Sequence, residues 1–369
     1  MSVKKIAAPF YERLSLVLVG LIALGYLVIL GKEVLDPLIF GLLFAILLLP
    51  ITAFFEKKLR FPRALSSIVS ILLLLAFIGG IGYLVGSQIS GLASDWPKLQ
   101  SQVSQSLVDL SGWIQHVFYI DLSKQLNFVQ DTKKKIMASG AGVVGETFGA
   151  VSSLMLFYVF ILIFTFLILL YRKLLFHFIE WIFTDQYEAI VHDIVENVQS
   201  ILRQYILGLL LEMFVVACLA CTAFWIIGIK YAVLLGLIVA LFNLIPYVGI
   251  FTALLLSALI TFATGSIEKA TYVAICVLGI HAVDSNFLLP TIVGSKVKLN
   301  ALITFLGIVA GEMIWGLSGM FLSIPIMAIF KIIFDRVESL KPWGYLLGSG
   351  SDEEKSTMKT QSPAKADKT

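Results

Sequence analysis

The chain has 369 residues, 59% of them hydrophobic and only 14% charged, with a formal net charge of +3. A soluble domain carries ~25% charged and ~45–50% apolar residues, so a conventional soluble fold is excluded. The basic residues are scattered, which leaves no electrostatic footprint for nucleic acid.

The apolar residues fall in blocks of the ~20 residues that a helix needs to cross ~30 Å of hydrocarbon. The expected fold class is all-α: a multi-pass integral membrane protein with about eight membrane segments. The first block, 14–30, follows Lys4, Lys5 and Arg13. It lacks a small-residue cleavage site and more spans follow at once, so it reads as an uncleaved helix. The second block, 35–54, is entered through Asp36-Pro37; a basic turn from Glu56 to Arg63 leads to the third, 65–85. Residues 1–86 thus form a unit of three N-terminal spans.

The pattern then changes. Leu92, Trp96, Leu99, Val103, Leu107, Leu110, Ile114 and Val117 recur every three or four residues in a polar background. That is one apolar helix face. Residues 87–146 are expected to be an amphipathic segment outside the hydrocarbon, with Lys133-Lys134-Lys135 a solvated or headgroup-facing patch. Gly140-Ala141-Gly142-Val143-Val144-Gly145 is a formal G-x-G-x-x-G. A dinucleotide site needs a preceding strand and an acid ~20 residues on, and neither is here; a flexible helix entry is the reading. Residues 147–204 are expected to hold the fourth span, 154–171, and a charged amphipathic cytoplasmic segment, 172–204. The fifth span is 205–227, and 205–341 is the expected transport core. The polar tail, 342–369, reads as disordered.

Basic residues at the N-terminus, at Lys57, Lys58, Arg60 and Arg63, and at Arg172 and Lys173 fit a positive-inside arrangement. Both termini are expected in the cytoplasm and the 88–146 segment outside. Cys218, Cys221 and Cys276 lie inside apolar blocks. The C-x-x-C pair lacks nearby ligands, so it reads as packing, not as a redox or metal site. No metal or cofactor is expected. With no H-E-x-x-H, Walker P-loop or G-x-S-x-G, no catalytic residue is assigned. A self-contained ATP pump is excluded, and a gradient must drive any transport.

Two apolar blocks are broken midway. Residues 231–263 are interrupted by Asn243-Leu244-Ile245-Pro246-Tyr247-Val248-Gly249, and residues 299–334 by Gly311-Glu312 through Trp315-Gly316-Leu317-Ser318-Gly319. An interior proline removes a backbone hydrogen bond. A kinked long helix and a re-entrant hairpin both fit this pattern. Irregular backbone at membrane depth is tolerated only where protein buries it or water lines it. Its free N–H and C=O groups and helix-end dipoles can hold a polar solute, so a pair of interrupted segments points to a transport site.

Between the breaks lies a span, 272–290, carrying His281, Asp284, Ser285 and Asn286. An ionised carboxylate in hydrocarbon is costly and must face a cavity or a partner. His281 sits three residues before Asp284, on the same helix face. Asp284 reads either as a group handling substrate, proton or ion, or as an interhelical hydrogen bond. Glu212, two turns into the fifth span, and Asn243, before the first break, divide the same way. Glu312 falls at the second break. Gly307 and Gly311 form a G-x-x-x-G suited to close helix packing.

These residues resemble the autoinducer-2 exporter family of bacterial permeases over about 14–341. The carriers are Asn243 to Gly249, then Asp284-Ser285-Asn286-Phe287-Leu288-Leu289-Pro290, then Trp315-Gly316-Leu317-Ser318-Gly319-Met320 with Pro325 following; Pro37, Pro50 and Pro62 also fit the family's N-terminal pattern. The resemblance implies a permease whose two helical hairpins form the substrate site, in homopentamers whose subunits work by an elevator-like movement. It implies site positions at Asn243, Pro246, Gly249, Asp284, Asn286, Pro290, Glu312, Gly316 and Gly319; the reading of the residues themselves adds Glu212 and His281 as coupling candidates. The expected function is export of a small polar solute such as autoinducer-2 across the bacterial inner membrane. The first alternative is a sodium(lithium)/proton antiporter in which Asp284 binds ion and proton in turn. The second is a non-transporting scaffold whose outer segment recruits partners.

Overall fold

The computed structural model describes residues 10–95, 101, 155–183, 187–245, 248–294 and 299–348. The Lys133–Lys135 patch, the glycine motif at 140–145, Pro246 and the tail from 349 lie outside the described residues, as does nearly all of the 96–154 segment.

The helices are α1 (Phe10–Leu30), α2 (Lys32–Lys58), α3 (Arg63–Ser94), α4 (Met155–Ile182), α5 (Glu188–Ile226), α6 (Ala232–Asn243), α7 (Val248–Thr264), α8 (Ile267–Val283), α9 (Ala301–Trp315), α10 (Leu317–Arg336) and α11 (Lys341–Leu347). A π-helical stretch, Asp284–Gly294, continues α8. Among the described residues there is no strand, only an isolated bridge between Leu299 and Gly348. Among the described residues six helical stretches are long and apolar enough to cross a membrane, one of them α8 with its π continuation. The chain is an all-α multi-pass membrane protein.

Exposure confirms which solvent the sequence is built for. Leu16, Val17, Ile22, Leu24 and Leu27 of α1 are all exposed, as are Phe77 and Tyr83 of α3. In water such surfaces would aggregate; in lipid they are the ordinary outer face. Ends follow local chemistry. Glu33 opens α2 and Lys57 and Lys58 close it, each sign matching the helix dipole. Ser266 caps α8 by accepting from the Lys269 N–H at 3.3 Å. Pro290 has no N–H to give to an α-helical ladder, and the backbone there takes the wider π register.

Four expected boundaries shift. The stretch expected to be disordered from 342 begins with a helix, since Lys341–Leu347 is α11. The third helix runs to Ser94, past 85. The charged 172–204 segment is not a separate helix: 172–182 ends α4, and 188–204 is the front of a 39-residue α5. No Pro or Gly falls between Glu188 and Leu207, so nothing stops the backbone ladder between its charged and apolar parts. The second break is a single residue, Gly316; Gly311 to Trp315 are already helical in α9.

The chain divides into two compact units. One comprises residues 1–45, 157–178 and 299–369. In it α9 and α10 form an antiparallel pair, with Gly307 against Met327 and Gly311 against Gly319. A Cβ on Gly311 would stand 2.3 Å from the Gly319 carbonyl oxygen, so the G-x-x-x-G serves close packing. Phe40 stacks on Phe321 with ring centres 5.7 Å apart, and the Trp315 indole N–H donates to the Val28 carbonyl at 3.1 Å.

The other unit comprises residues 46–156 and 179–298. Its core joins Val216, Ala220 and Phe224 of α5 to Leu234, Leu235 and Val239 of α6, Ala253 of α7, and Val273 and Val277 of α8. Gly236 lets α6 meet α5 at Cys221, where a Cβ would stand 2.4 Å from the sulfur. Cys221 thus packs on α6, while Cys218 is exposed. Where α3 ends, buried Asp95 accepts from the Tyr231 hydroxyl at 2.6 Å and pairs with Lys230.

Candidate functional site

The first break is where the polar groups of this unit gather. Glu212 is 4% exposed and Asp284 3%, both in apolar surroundings where a lone ionised carboxylate costs several kcal/mol. Asn243, the last residue of α6, resolves part of that cost. Its side-chain N–H₂ donates to Glu212 Oε1 at 3.2 Å and to Asp284 Oδ2 at 3.0 Å. Three elements, α5, α6 and the start of the π stretch, therefore meet through one amide.

The two carboxyl groups also lie within hydrogen-bond reach of each other. As carboxylates neither can donate, and Glu212 Oε2 and Asp284 Oδ1 then have no partner. One proton on either acid turns two repelling acceptors into a donor and an acceptor. Two like charges this close repel, and a shared proton removes the repulsion. A proton, or a monovalent cation in its place, satisfies the same oxygens.

Against Asn243 and His281 is a small cavity of about 10 Å³, lined also by Val216, Val239, Ile250, Ala253, Val277 and Ile280 but by neither acid. That is about the space of one water. His281 Nδ1 is buried without a partner, while Nε2 lies 3.2 Å from the hydroxyl of exposed Ser285.

The start of α7 is held against the end of α6 by Gly249. A Cβ there would stand 1.7 Å from the Phe242 carbonyl oxygen, so only glycine fits. The α6–α7 connection keeps short-range hydrogen bonds, Leu244 N–H to Leu241 and Ile245 N–H to Phe242.

Other sequence candidates fall elsewhere. Asn286 donates to the Ala282 carbonyl of its own helix at 2.7 Å, and both it and Pro290 are exposed. Neither joins the Asn243 cluster. Pro290 instead accounts for the π register that begins at Asp284. Glu312 is exposed on α9, Gly316 has φ 68 and ψ −140, and Gly319 packs on Gly311; all three belong to the other unit.

One residue that sequence reasoning passed over is Asp36. It is 4% exposed and lies beside Ser318, two residues past Gly316. The second break therefore has a buried acid of its own, within its own unit. The signal was an aspartate inside an apolar block, read there only as a helix entry because Pro37 follows it.

Among the described residues no set of three His, Cys, Asp or Glu could hold a metal ion. Comparison with known proteins gives a consistent picture. Residues 16–339 match the model of the AI-2E family transporter. Putative transport protein YueF of Bacillus subtilis is 28% identical over 79% of this chain and 80% of its own length. Putative transport protein YrrI of the same organism is 28% identical over 82% and 86%. AI-2 transport protein TqsA of Escherichia coli is 26% identical over 85% and 91%.

Proposed function

This chain belongs to the AI-2E transporter family, and from that premise we propose that it exports a small polar solute, autoinducer-2 being the first candidate. Membership makes it a membrane transporter and sets aside the scaffold reading. The observation that supports a polar cargo is the buried Glu212–Asn243–Asp284 set at the broken α6–α7 block. Hydroxyls can replace one carboxyl contact with another there without leaving any group unpaired. The TqsA relative is named for autoinducer-2, which supports that substrate first. The proposal includes the bacterial inner membrane, cytoplasmic termini, a homopentamer and the elevator-like movement that the resemblance implies. It keeps Glu312, Gly316 and Gly319 as the second hairpin's contribution.

Purified protein in proteoliposomes should carry autoinducer-2 down its gradient. Asn243→Ala strands two acceptors, a loss of ~1–3 kcal/mol, and should cut flux roughly tenfold or more. Flux equal to that of protein-free vesicles sinks the substrate assignment.

A second reading, sodium(lithium)/proton antiport, is favoured by one observation: the two acids within hydrogen-bond reach. On that reading the proton between them is what a cation displaces. Proton movement driven by a sodium or lithium gradient, lost in Asp284→Asn, would select it.

A further inference from the structure

The acid pair is closed off: Glu212 and Asp284 are both almost fully buried. A proton that enters or leaves it needs a path, because an O–H held in apolar surroundings does not exchange with water directly. On α5 the phenol of Tyr205, near Glu212, is itself almost fully buried and gives no exit to water. The helices α6 and α7 carry no ionisable residue. On α7, Ser257 and Thr261 are buried hydroxyls without a partner, and they contribute no group that changes charge. On α8, Glu268, Lys269 and Tyr272 stand at its N-terminal end, and Cys276 comes five residues before His281. Only His281 lies within one turn of Asp284.

We propose that His281 is the proton relay between the buried Glu212–Asp284 pair and the exposed hydroxyl of Ser285. The proposal rests on the reading that this pair is a proton site. Its geometry has three parts. His281 precedes Asp284 by three residues, which places the two side chains on one helix face, ~5–6 Å apart at Cβ. His281 and Asn243, the amide that holds both acids, line the same cavity, whose volume of about 10 Å³ suits one water next to the amide, one hydrogen bond from the pair. The ring has two distinct ends: a buried Nδ1 with no partner, and Nε2 at 3.2 Å from Ser285 Oγ. Imidazole is the side chain suited to accept at one nitrogen and release at the other.

The proton balance is simple. In the outward direction the acid O–H of the pair breaks and an N–H forms at Nδ1, through the cavity water. The pair is left with one more negative charge and the ring becomes imidazolium. The N–H at Nε2 then breaks and its proton passes to water ordered by Ser285 Oγ. The ring is neutral again as the other tautomer, and return of the proton by the reverse path, or a ring flip, resets it. No oxidant or further reactant takes part.

The test uses the full-length protein in proteoliposomes with a pH-sensitive dye inside, under an imposed sodium or lithium gradient, and again with autoinducer-2. Wild type, His281→Gln, His281→Ala and Asp284→Asn are compared, each first checked for a single oligomer peak and a wild-type unfolding temperature. Loss of a positioned acid–base group costs on the order of 100-fold. Both His281 variants should slow proton movement by about that factor, and added imidazole should restore rate in His281→Ala. Wild-type proton rates in His281→Gln, or no response to imidazole, overturn the relay. Asp284→Asn with wild-type proton rates overturns the proton-site reading beneath it, whatever His281 does. Asp284→Asn silent with both His281 variants unimpaired overturns the relay alone. A wild type that moves no protons under any of these gradients overturns both.

Discussion

The two broken blocks look alike in sequence and differ in what meets them. At the first, a glycine is needed for space: Gly249 lies under the Phe242 carbonyl with no room for a Cβ. At the second, a glycine is needed for conformation: Gly316 has φ 68 and nothing within 4 Å of where its Cβ would be. The first break is met by two acids from two other elements, sharing the Asn243 amide. The second is met by one acid, Asp36, beside Ser318. A break alone thus frees backbone groups, while the side chains packed on it decide what they can hold. Two acids within reach of each other can trade a proton or cation; a single acid beside a serine is a clasp.

The comparison can be tested from its largest expected effect downward. Asp284→Asn should abolish ion-driven proton movement, a loss on the order of 100-fold, because an amide at 284 donates to Glu212 in place of the shared proton and does not release it. Asp36→Asn should change the same flux far less while lowering the unfolding temperature. Equal flux losses in the two variants would break the distinction between a site and a clasp.

Gly249→Ala should destabilise by more than the ~1–3 kcal/mol typical of overpacking, since its clash is with backbone that cannot swing aside. Gly316→Ala should cost about 1–3 kcal/mol through φ alone. Thermal unfolding in detergent, with Gly316→Asn included, separates the two causes. At φ 68 and ψ −140, outside the left-handed helical well, asparagine should cost as much as alanine at 316. At 249 the larger asparagine should cost more than alanine, because space decides there.

The smallest effect belongs to the staple at Asp95. Lys230 is held above the usual lysine range chiefly by its hydrogen bond to Asp95, with neighbouring Tyr231 adding to it. A pKa raised in the folded state contributes stability below the unfolded lysine value of ~10.4, lost only as pH rises past it. Lys230→Met should therefore lower the unfolding temperature slightly and evenly across neutral pH, with the difference from wild type shrinking only in strong alkali. A difference that grew as pH rose would contradict the assigned sign.

Much of this was legible in residue order. Block lengths and an excess of apolar residues dictate membrane helices, because lipid leaves the backbone no other way to satisfy its hydrogen bonds. Asn243 and Asp284 stood out because a polar side chain in hydrocarbon needs a reason. The G-x-x-x-G spacing at Gly307 and Gly311 correctly announced a close approach. The extent of α5 was less legible, since a change from charged to apolar residues marks a change of surroundings without stopping a helix. Which polar residues share a partner was not legible at all. Glu212, Asn243 and Asp284 are separated by 31 and 41 residues, and helix periodicity carries no information across such gaps. Asn286 shows the converse: two residues from Asp284 in sequence, it points away, because neighbours on a helix do not share a face. The sequence by itself determined the solvent, the helices and the places where they break. Only tertiary packing decided that the first break would gather two acids on one amide while the second would close on an aspartate from α2, because contacts between helices depend on which faces meet.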